Sequence, residues 1–304
     1  MSSRIVIAGG TGFIGRHLSP FLLQKGHEVV VLTRSRNLPS KSSGAEMVQW
    51  DGRTIGPWIR SLDGAAAVVN LAGENIGAKR WSAARKAEII DSRIGPTSAI
   101  VDGIKEVTLK PQVLVNISAV GFYGERGDEE VTEQAEKRKG FLADTVDRWE
   151  DAARKVERLG VRLVILRNGV VLGRSGGALP RMVIPFRIFI GGPIGSGRQW
   201  FPWIHMDDLL EIIWLSIHHE SVKGVFNAVS PGLMTMGDVS KTIGKTLHRP
   251  SWIPVPAFIL RLMLGEMSDM ILGSQKVLPA RLAEVGFRFR YPTLGPALSS
   301  ILSS

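Results

Sequence analysis

Three regularly spaced glycines give the clearest chemical signal in this sequence. Gly9, Gly12 and Gly15 occur in "IVIAGGTGFIG", directly after a short apolar run and at the start of a predicted helix. Glycine permits the positive φ of a tight turn, and its missing side chain lets a phosphate approach the backbone. The helix N-terminus adds N–H donors and partial positive charge. The pattern predicts a dinucleotide pyrophosphate site, formed by Gly9, Gly10, Thr11, Gly12, Phe13, Ile14 and Gly15.

An arginine at the end of the second predicted strand indicates which dinucleotide is bound. Arg34 lies 19 positions after Gly15, between Thr33 and Ser35. An acidic residue at this place would bind the ribose 2′-hydroxyl of NAD. A guanidinium beside two hydroxyls instead suits a 2′-phosphate. The sequence therefore predicts that the cofactor is NADP rather than NAD, with Arg36 as a second candidate for the phosphate contact.

Composition and charge narrow the chemistry further. The 304 residues include no cysteine and six scattered histidines, which excludes disulfides and thiolate catalysis and gives no metal-ligand spacing, so no metal is predicted. Residues 1–150 carry 20 Lys+Arg against 18 Asp+Glu, and residues 151–304 carry 18 against 10. These basic residues stand singly. We therefore predict a small, anionic substrate and no nucleic-acid partner.

The apolar segments do not predict a membrane span. The most apolar stretch, "WIPVPAFILRLMLGEMSDMILG", is interrupted by Arg261, Glu266 and Asp269, whereas a span needs about 20 nearly uninterrupted apolar residues. The first predicted strand begins close to residue 1 and leaves no room for a signal peptide. We expect a cytoplasmic protein that is a monomer or a homodimer.

Strand and helix patterns alternate through the first two thirds of the chain. Apolar, β-branched runs followed by helical patterns are typical of the α/β class, with a Rossmann-type, doubly wound parallel sheet. After about Gly173 the chain becomes rich in glycine and proline, and the strand "GVFNAVS" then returns to the main body. We predict an NADP-binding core at residues 1–230, with substrate-lobe insertions after about residue 173. A smaller, partly interleaved C-terminal lobe is predicted at residues 231–304.

The segment "FLADTVDRWEDAARKV", residues 141–156, is predicted to form an amphipathic helix. Its inner face carries only apolar side chains, namely Leu142, Val146, Trp149, Ala153 and Val156. Glu150 and Asp151 are predicted to lie on the outer face. The inner face should therefore hold no titratable group.

Several motifs resemble those of a known family. "GGTGFIG", "NLAG", "SAVGFYG" and "WIHMDDL" are similar, in this order, to motifs of the extended short-chain dehydrogenase/reductase family of the epimerase type. "NLAGEN", "RWSAARKAEIIDSR", "GGPIGSGRQWFPWIHMDD" and "GSQKVLPARLAEVGFRFRYP" resemble one atypical branch, the YfcH-type or SulA-like proteins with their own C-terminal domain. The resemblance implies further cofactor contacts at Leu71, Ala72, Gly73, Glu88, Arg93, Ser118, Asn168, Gly169, Val170 and Val171.

The catalytic residues of the wider family are missing from this sequence. Family members use a Ser or Thr at the end of the fifth strand and a Tyr-x-x-x-Lys on the next helix. Here Tyr123 and Tyr291, the only tyrosines, are each followed four positions later by glycine. The resemblance places Ala119 at the serine position, beside Ser118. It matches Glu150 to the family's acidic residue, which leaves Leu142 and Val146 at the Tyr and Lys positions.

Two functions remain open on this reading. The first is an NADP-dependent oxidoreductase or epimerase-like enzyme of unknown substrate with a relocated acid–base group, for which Tyr123 and Glu74 are the candidates, followed by Asn75 and His205. The second is a non-catalytic NADP(H)-dependent sensor or scaffold, linked through the resemblance to cell or organelle division. Four arginines are candidates to line the cleft and attract an anionic substrate: Arg167, Arg181, Arg187 and Arg198.

Overall fold

The protein is described by a computed structural model that covers residues 3–35, 41–42 and 44–302. Arg36, the second candidate for the phosphate contact, lies outside these residues. In chain order the strands are β1 Arg4–Ala8, β2 Glu28–Thr33, β3 Lys41–Ser42, β4 Ala45–Gln49, β5 Ala67–Asn70, β6 Val113–Ala119, β7 Glu130–Val131, β8 Arg162–Asn168, β9 Val170–Gly173, β10 Gly176–Gly177, β11 Trp203–His205, β12 Gly224–Ala228 and β13 Lys276–Val277.

The helices connect these strands and build most of the C-terminal part. They are α1 Gly15–Gln24, α2 Ala83–Glu106, α3 Phe141–Arg154, α4 Leu179–Arg187, α5 Met206–His218, α6 Met236–Leu247, α7 Ala257–Leu264, α8 Asp269–Leu272, α9 Ala280–Glu284 and α10 Leu294–Leu302. Short 3-10 turns add Pro57–Ser61, Val120–Tyr123, Lys155–Leu159 and Gly265–Ser268. None of the helices in the described ranges is long and apolar enough to cross a bilayer.

The large sheet has the order β12-β8-β6-β5-β1-β2-β4-β3. Seven of its strands pair in parallel, and only β3 pairs antiparallel, with β4. From β1 the chain builds outward to β2 and β4, then returns to β5 on the other side of β1. The predicted Rossmann-type sheet is confirmed. Its order reverses between β1 and β5, and the carboxyl ends of strands at such a switch point leave a crevice for ligands.

Alternating side chains of β1 supply both faces of this sheet. Ile5 and Ile7 are buried on the face covered by α1 and α5. Val6 and Ala8 are buried on the other face, where α2 and the end of α3 pack. Burial on both sides explains why the strands read as continuous apolar runs rather than as an alternating pattern.

The C-terminal part packs partly against itself and partly against the large sheet. The strands β10-β9-β11 form a small separate sheet, and α4, α6 and α10 share a second apolar core with it. Between these elements the chain returns to add β12 to the edge of the large sheet, beside β8. Farther on, β13 pairs with β7 of the N-terminal part. The segment "GVFNAVS" thus returns to the main body as predicted, and the C-terminal part is joined to the N-terminal part through β12 and β13.

Candidate functional site

The glycine loop turns sharply between β1 and α1. Gly9 has φ +76°, and a Cβ there would lie 2.8 Å from the backbone carbon of Leu71. A Cβ on Gly15 would lie 2.4 Å from the Cα of Gly10, so α1 can pack against the turn only through a glycine. The helix α1 begins at Gly15, the last of the three glycines, so Phe13 and Ile14 still belong to the turn.

The loop also has the properties of an anion cradle. A Cβ on Gly12 would meet only the carbonyl oxygen of Gly9, at 3.2 Å, among the described atoms within 4 Å. Within residues 3–35, 41–42 and 44–302, the backbone N–H groups of Phe13 and Ile14 make no hydrogen bond. Unpaired N–H donors at a helix N-terminus are suited to a phosphate. The residues present therefore fit the pyrophosphate of a dinucleotide.

A cleft of about 570 Å³ opens at this edge of the sheet. Ten of the predicted site residues line it: Gly9, Thr11, Gly12, Thr33, Arg34, Leu71, Ala72, Gly73, Glu74 and Glu88. The remaining predicted residues do not line it: Gly10, Phe13, Ile14, Gly15, Ser35, Arg93, Ser118, Tyr123, Asn168, Gly169, Val170 and Val171. Among these, the Phe13 ring packs under Gly173, Gly176 and Gly177.

Sequence reasoning missed several residues that line the cleft. They are Trp50, Asp51, Gly52, Arg53, Lys79, Arg85, Asp91, Ser92 and Pro96. The first four follow β4, whose carboxyl end lies at the same sheet edge as that of β2. The residues after β4 could have been predicted to line the cleft, because neighbouring parallel strands end at the same edge of a sheet.

The Asp51 carboxylate is held by its own turn. It accepts hydrogen bonds from the Thr54 hydroxyl at 2.5 Å, from the Thr54 N–H at 2.8 Å and from the Arg53 N–H at 2.7 Å. These donors, the Thr54 hydroxyl foremost, lower the pKa of Asp51 to about 2. Asp51 therefore presents a fixed negative charge at this end of the cleft.

A chain of alternating charges crosses the cleft. The Glu74 carboxylate lies 3.5 Å from Nη2 of Arg34 and 3.7 Å from Nη1 of Arg85. Arg85 also pairs with Glu88 at 2.9 Å and donates to the Asn75 carbonyl at 2.7 Å. Its Nε is buried and has no hydrogen-bond partner among the described residues. The cleft thus contains a guanidinium that is nearly enclosed by protein and incompletely satisfied.

Arg93 fixes the loop that carries Glu74. Its guanidinium donates to the Glu74 carbonyl at 3.0 Å and to the Ile89 carbonyl at 3.0 Å. Burial lowers the pKa of Arg93 to about 10, partly opposed by the nearby Glu74 charge. The predicted cofactor residue Arg93 is thus placed behind the cleft wall.

The helix α3 differs from its prediction at Glu150. This side chain is completely buried and accepts from the Ser118 hydroxyl at 2.7 Å and from Arg167 Nε and Nη2, each at 2.8 Å. Arg154 donates to the same carboxylate at 2.9 Å. The prediction that the inner face holds no titratable group is wrong, because Glu150 follows Val146 by four residues and so shares its side of the helix.

Arg167 was expected to line the cleft, and this expectation is also wrong. Only 3% of it is exposed, because its guanidinium pairs with Glu150 inside the fold. The same guanidinium lies 3.4 Å from the ring centre of Phe122. Ser118 is tied into this buried cluster through its hydrogen bond to Glu150.

Tyr123 belongs to the same interior cluster. Its hydroxyl donates to Asn227 Oδ1 at 2.6 Å and accepts from Arg167 Nη1 at 3.1 Å. Desolvation raises the pKa of the phenol, with Arg167 opposing the shift. A buried phenol of raised pKa is a poor general base near neutral pH.

Leu142 and Val146, which the resemblance matches to the family's Tyr and Lys positions, pack against the turn after β6. A Cβ on Gly121 would lie 3.5 Å from Leu142 Cβ and 4.0 Å from Val146 Cγ2. Asn168, at the end of β8, is buried, and its Oδ1 has no partner within the described chain. Gly169 donates to the Ala228 carbonyl at 3.1 Å and thereby begins the turn into β9.

His205 has structural partners at the start of α5. Its Nδ1 accepts from the Asp207 N–H at 3.1 Å, its ring centre lies 3.9 Å from that of Tyr291, and Nε2 lies 3.2 Å from the Ser300 hydroxyl. Burial lowers the pKa of His205, with Asp207 opposing the shift. In the parts of the chain that the structure describes, no three His, Cys, Asp or Glu side chains converge as metal ligands would.

Comparison with known proteins supports the resemblance seen in the motifs. A profile of the NAD dependent epimerase/dehydratase family matches residues 5–228, and a profile of the domain of unknown function DUF1731 matches residues 255–301. The chain is 41% identical to the chloroplastic "Epimerase family protein SDR39U1 homolog" of Arabidopsis thaliana, over 98% of this chain and 86% of that protein. It is 38% identical to "Epimerase family protein YfhF" of Bacillus subtilis, over 98% of both proteins.

A solved structure matches along the whole length. The crystal structure of human epimerase family protein SDR39U1 with NADPH superimposes with a TM-score of 0.89 and 35% sequence identity, and the match covers 99% of each chain. The family profile at residues 5–228 covers the part of the chain that holds the glycine loop and the residues lining the cleft. The protein is therefore a member of the NAD dependent epimerase/dehydratase family.

Proposed function

We propose that this protein binds NADP(H) in the cleft between the glycine loop and α2, and that Arg34 selects the cofactor by its 2′-phosphate. One observation carries the proposal: the glycine cradle and Arg34 line the same cleft, at the point where the strand order reverses. The human relative was crystallised with NADPH, which supports the choice of cofactor.

The site residues divide along the length of the dinucleotide in this proposal. The turn Gly9–Gly15 holds the pyrophosphate, and Leu71, Ala72 and Gly73 border the adenosine ribose. Thr33, Arg34 and Ser35 surround the 2′-phosphate. Glu88 lines the wall, and Arg93 acts by holding the Glu74 carbonyl. The nicotinamide end belongs to Ser118 and to Asn168, Gly169, Val170 and Val171, where the unpartnered Oδ1 of Asn168 suits an amide N–H donor.

Bound NADP(H) gives or takes a hydride, and we propose an oxidoreductase or epimerase-like reaction that does not use a Tyr-x-x-x-Lys pair. Neither candidate acid–base residue has the surroundings of a proton donor to substrate. The Tyr123 hydroxyl is bonded to Asn227 and Arg167 in the interior. Glu74 pairs with Arg34, which the proposal assigns to the adenosine end. In this proposal, solvent supplies or accepts the proton that accompanies the hydride.

A second candidate function is a non-catalytic NADP(H)-dependent sensor or scaffold, with a role in cell or organelle division. It is favoured by the apolar wall that Leu142 and Val146 form against Gly121. In this part of the fold the wider family carries its proton-transfer pair.

The proposal extends to the substrate and the cellular setting. A small anionic substrate is supported by the exposed Arg187 and Arg198 and by Arg181, which donates to the Gly77 carbonyl at 2.9 Å. We propose a cytoplasmic monomer or homodimer. Cell fractionation and light scattering of the purified protein test these two statements.

Titration of NADPH and NADH tests the cofactor assignment. Arg34→Ala should weaken NADPH binding about 10- to 100-fold, the usual value of a charge-assisted contact, and NADH binding far less. Arg53→Ala is the matched control, because Arg53 lines the same cleft. Equal losses of NADPH and NADH affinity in Arg34→Ala would overturn the assignment.

A carbonyl-substrate screen that follows NADPH absorbance separates the two functions. Turnover of any substrate by the wild-type protein supports the enzyme, whereas tight NADPH binding without turnover supports the sensor. If Tyr123→Phe or Glu74→Gln loses turnover while NADPH affinity is kept, that residue transfers the proton after all.

A further inference from the structure

Glu74 joins two arginines that come from opposite walls of the cofactor cleft. Arg34 follows β2 on one side, and Arg85 lies in the first turn of α2 on the other. Each guanidinium faces a different oxygen of the carboxylate, Oε1 at 3.5 Å from Arg34 and Oε2 at 3.7 Å from Arg85. The carboxylate therefore spans the space between the two walls.

The two arginines hold Glu74 with unequal strength. The Arg34 side chain is 72% exposed, and the Glu74 side chain is 39% exposed. An exposed pair at 3.5 Å is weak and is screened by salt. The Arg85 side chain is only 9% exposed and is fixed by Glu88 and by the Asn75 carbonyl. If an anion enters the cleft, the contact with Arg34 is the one that yields.

Arg85 can retain the carboxylate after this exchange. Its guanidinium stays in place when Arg34 leaves, because it is bonded to Glu88 and to the Asn75 carbonyl. The Glu74 backbone is fixed independently, through the Arg93 bond to its carbonyl and the Ser92 hydroxyl that accepts its N–H at 3.1 Å. Only the Glu74 side chain, and not its backbone, needs to move when Arg34 releases the carboxylate.

We propose that Glu74 is a specificity-determining residue of this cleft, an internal carboxylate that competes with the cofactor's 2′-phosphate for Arg34. In the free protein Glu74 holds Arg34, and on binding Arg34 exchanges the carboxylate for the phosphate while Arg85 keeps Glu74. NADH lacks the phosphate and does not need the exchange. Glu74 thus lowers the preference for NADPH over NADH that Arg34 creates. This inference rests on the proposed function, in which the ligand is NADP(H).

The test is a titration of NADPH and NADH into wild-type protein and Glu74→Gln. The variant should bind NADPH about two- to fivefold more tightly, the range spanned by one exposed ion pair, and NADH within about twofold of wild type. The gain should shrink as salt is raised, because the Arg34–Glu74 ion pair that the variant removes joins exposed charges. Glu74→Ala provides a second variant that removes the same charge.

Two controls make the result specific. Asp91→Asn removes the same charge from the same cleft but leaves the Glu74 contacts with Arg34 and Arg85 intact, and its NADPH affinity should change less than that of Glu74→Gln. In an Arg34→Ala background the effect of Glu74→Gln should vanish, because the competition requires Arg34.

The outcomes separate this inference from the function on which it rests. If Arg34→Ala selectively weakens NADPH but neither Glu74 variant tightens it, the inference is wrong and the cofactor assignment stands. Equal tightening of NADPH and NADH by Glu74→Gln would also overturn the inference. If Arg34→Ala does not discriminate between the two cofactors, the proposed function itself fails.

Discussion

The buried Glu150–Arg167 pair allows a quantitative test of what holds the sheet and α3 together. Glu150→Gln removes a carboxylate that is fully buried and receives four hydrogen bonds, from Ser118, from Arg154 and twice from Arg167. An amide keeps the shape of the side chain but presents one oxygen and an N–H₂ group to the arginines. Arg167, 3% exposed, then keeps its charge without its main partner.

The expected loss follows from the cost of an uncompensated buried charge. Breaking a buried ion pair from one side typically costs 3–5 kcal/mol. We expect about 3 kcal/mol for Glu150→Gln, because the amide oxygen still accepts one hydrogen bond. For a chain of this length that loss corresponds to a melting temperature about 5 °C lower. Chemical denaturation followed by circular dichroism measures the free energy of unfolding directly.

Asp151→Asn is the matched control on the same helix. Asp151 is 65% exposed and pairs only with Arg154 among the described residues, at 3.0 Å, so its loss should change the free energy of unfolding by less than about 0.5 kcal/mol. If Glu150→Gln and Asp151→Asn unfold at the same denaturant concentration, the reasoning about the buried charge is refuted. Replacing Glu150 and Arg167 together by methionine should recover much of the loss.

Two further predictions concern the glycine loop and His205, which contacts Tyr291 and Ser300 near the C-terminus. Gly9→Ala should destabilise the fold and abolish NADPH binding, because the added Cβ meets the Leu71 backbone at 2.8 Å. Gly26 has φ +87° and nothing within 4 Å of an added Cβ, so Gly26→Ala should lower the free energy of unfolding by only about 1 kcal/mol and leave NADPH binding intact. Burial lowers the pKa of His205, so the unfolded chain binds the proton more readily and stability should fall as the pH drops below about 6.5. Between pH 7 and 5, the free energy of unfolding should change less with pH for His205→Gln than for His219→Gln. Equal changes in the two variants would contradict a lowered pKa for His205.

The sequence predicts the features that follow from glycine positions and from the periodicity of apolar residues. The glycine spacing places the turn at Gly9–Gly15, and the alternation of apolar runs with helical patterns places the parallel sheet. Arg34 could be placed at the cleft, which it lines, because its distance from the glycines is set by the length of one helix and one strand. Each of these is local or follows from a single crossover, so the residues that decide it lie close together in the chain.

The features that sequence reasoning missed depend on contacts that separate elements make in the folded chain. Arg85 enters the cleft because it pairs with Glu88 and with the loop at Glu74 and Asn75, and nothing in "RWSAARKAEIIDSR" alone separates it from a solvated helix face. Trp50 and Asp51 line the cleft because β4 lies beside β2. Pairings of this kind are set by the packed fold and leave no periodic signal in the sequence.

Glu150 shows that a buried polar cluster can be present at α3 without a Tyr-x-x-x-Lys pair. A hydrophobic-periodicity argument assigns any glutamate to the outside, since unpaired burial of a carboxylate is costly. Here the cost is offset by Arg167, which arrives from β8, seventeen positions later in the chain, and by Ser118 from β6. The resemblance matches Glu150 to the family's acidic residue, and Leu142 and Val146 to its Tyr and Lys positions. In this structure the Glu150 carboxylate stabilises the fold, because it joins α3 to the ends of β6 and β8. We therefore expect cofactor binding to depend on the cleft residues, and above all on whether Arg34 contacts Glu74 or the incoming 2′-phosphate.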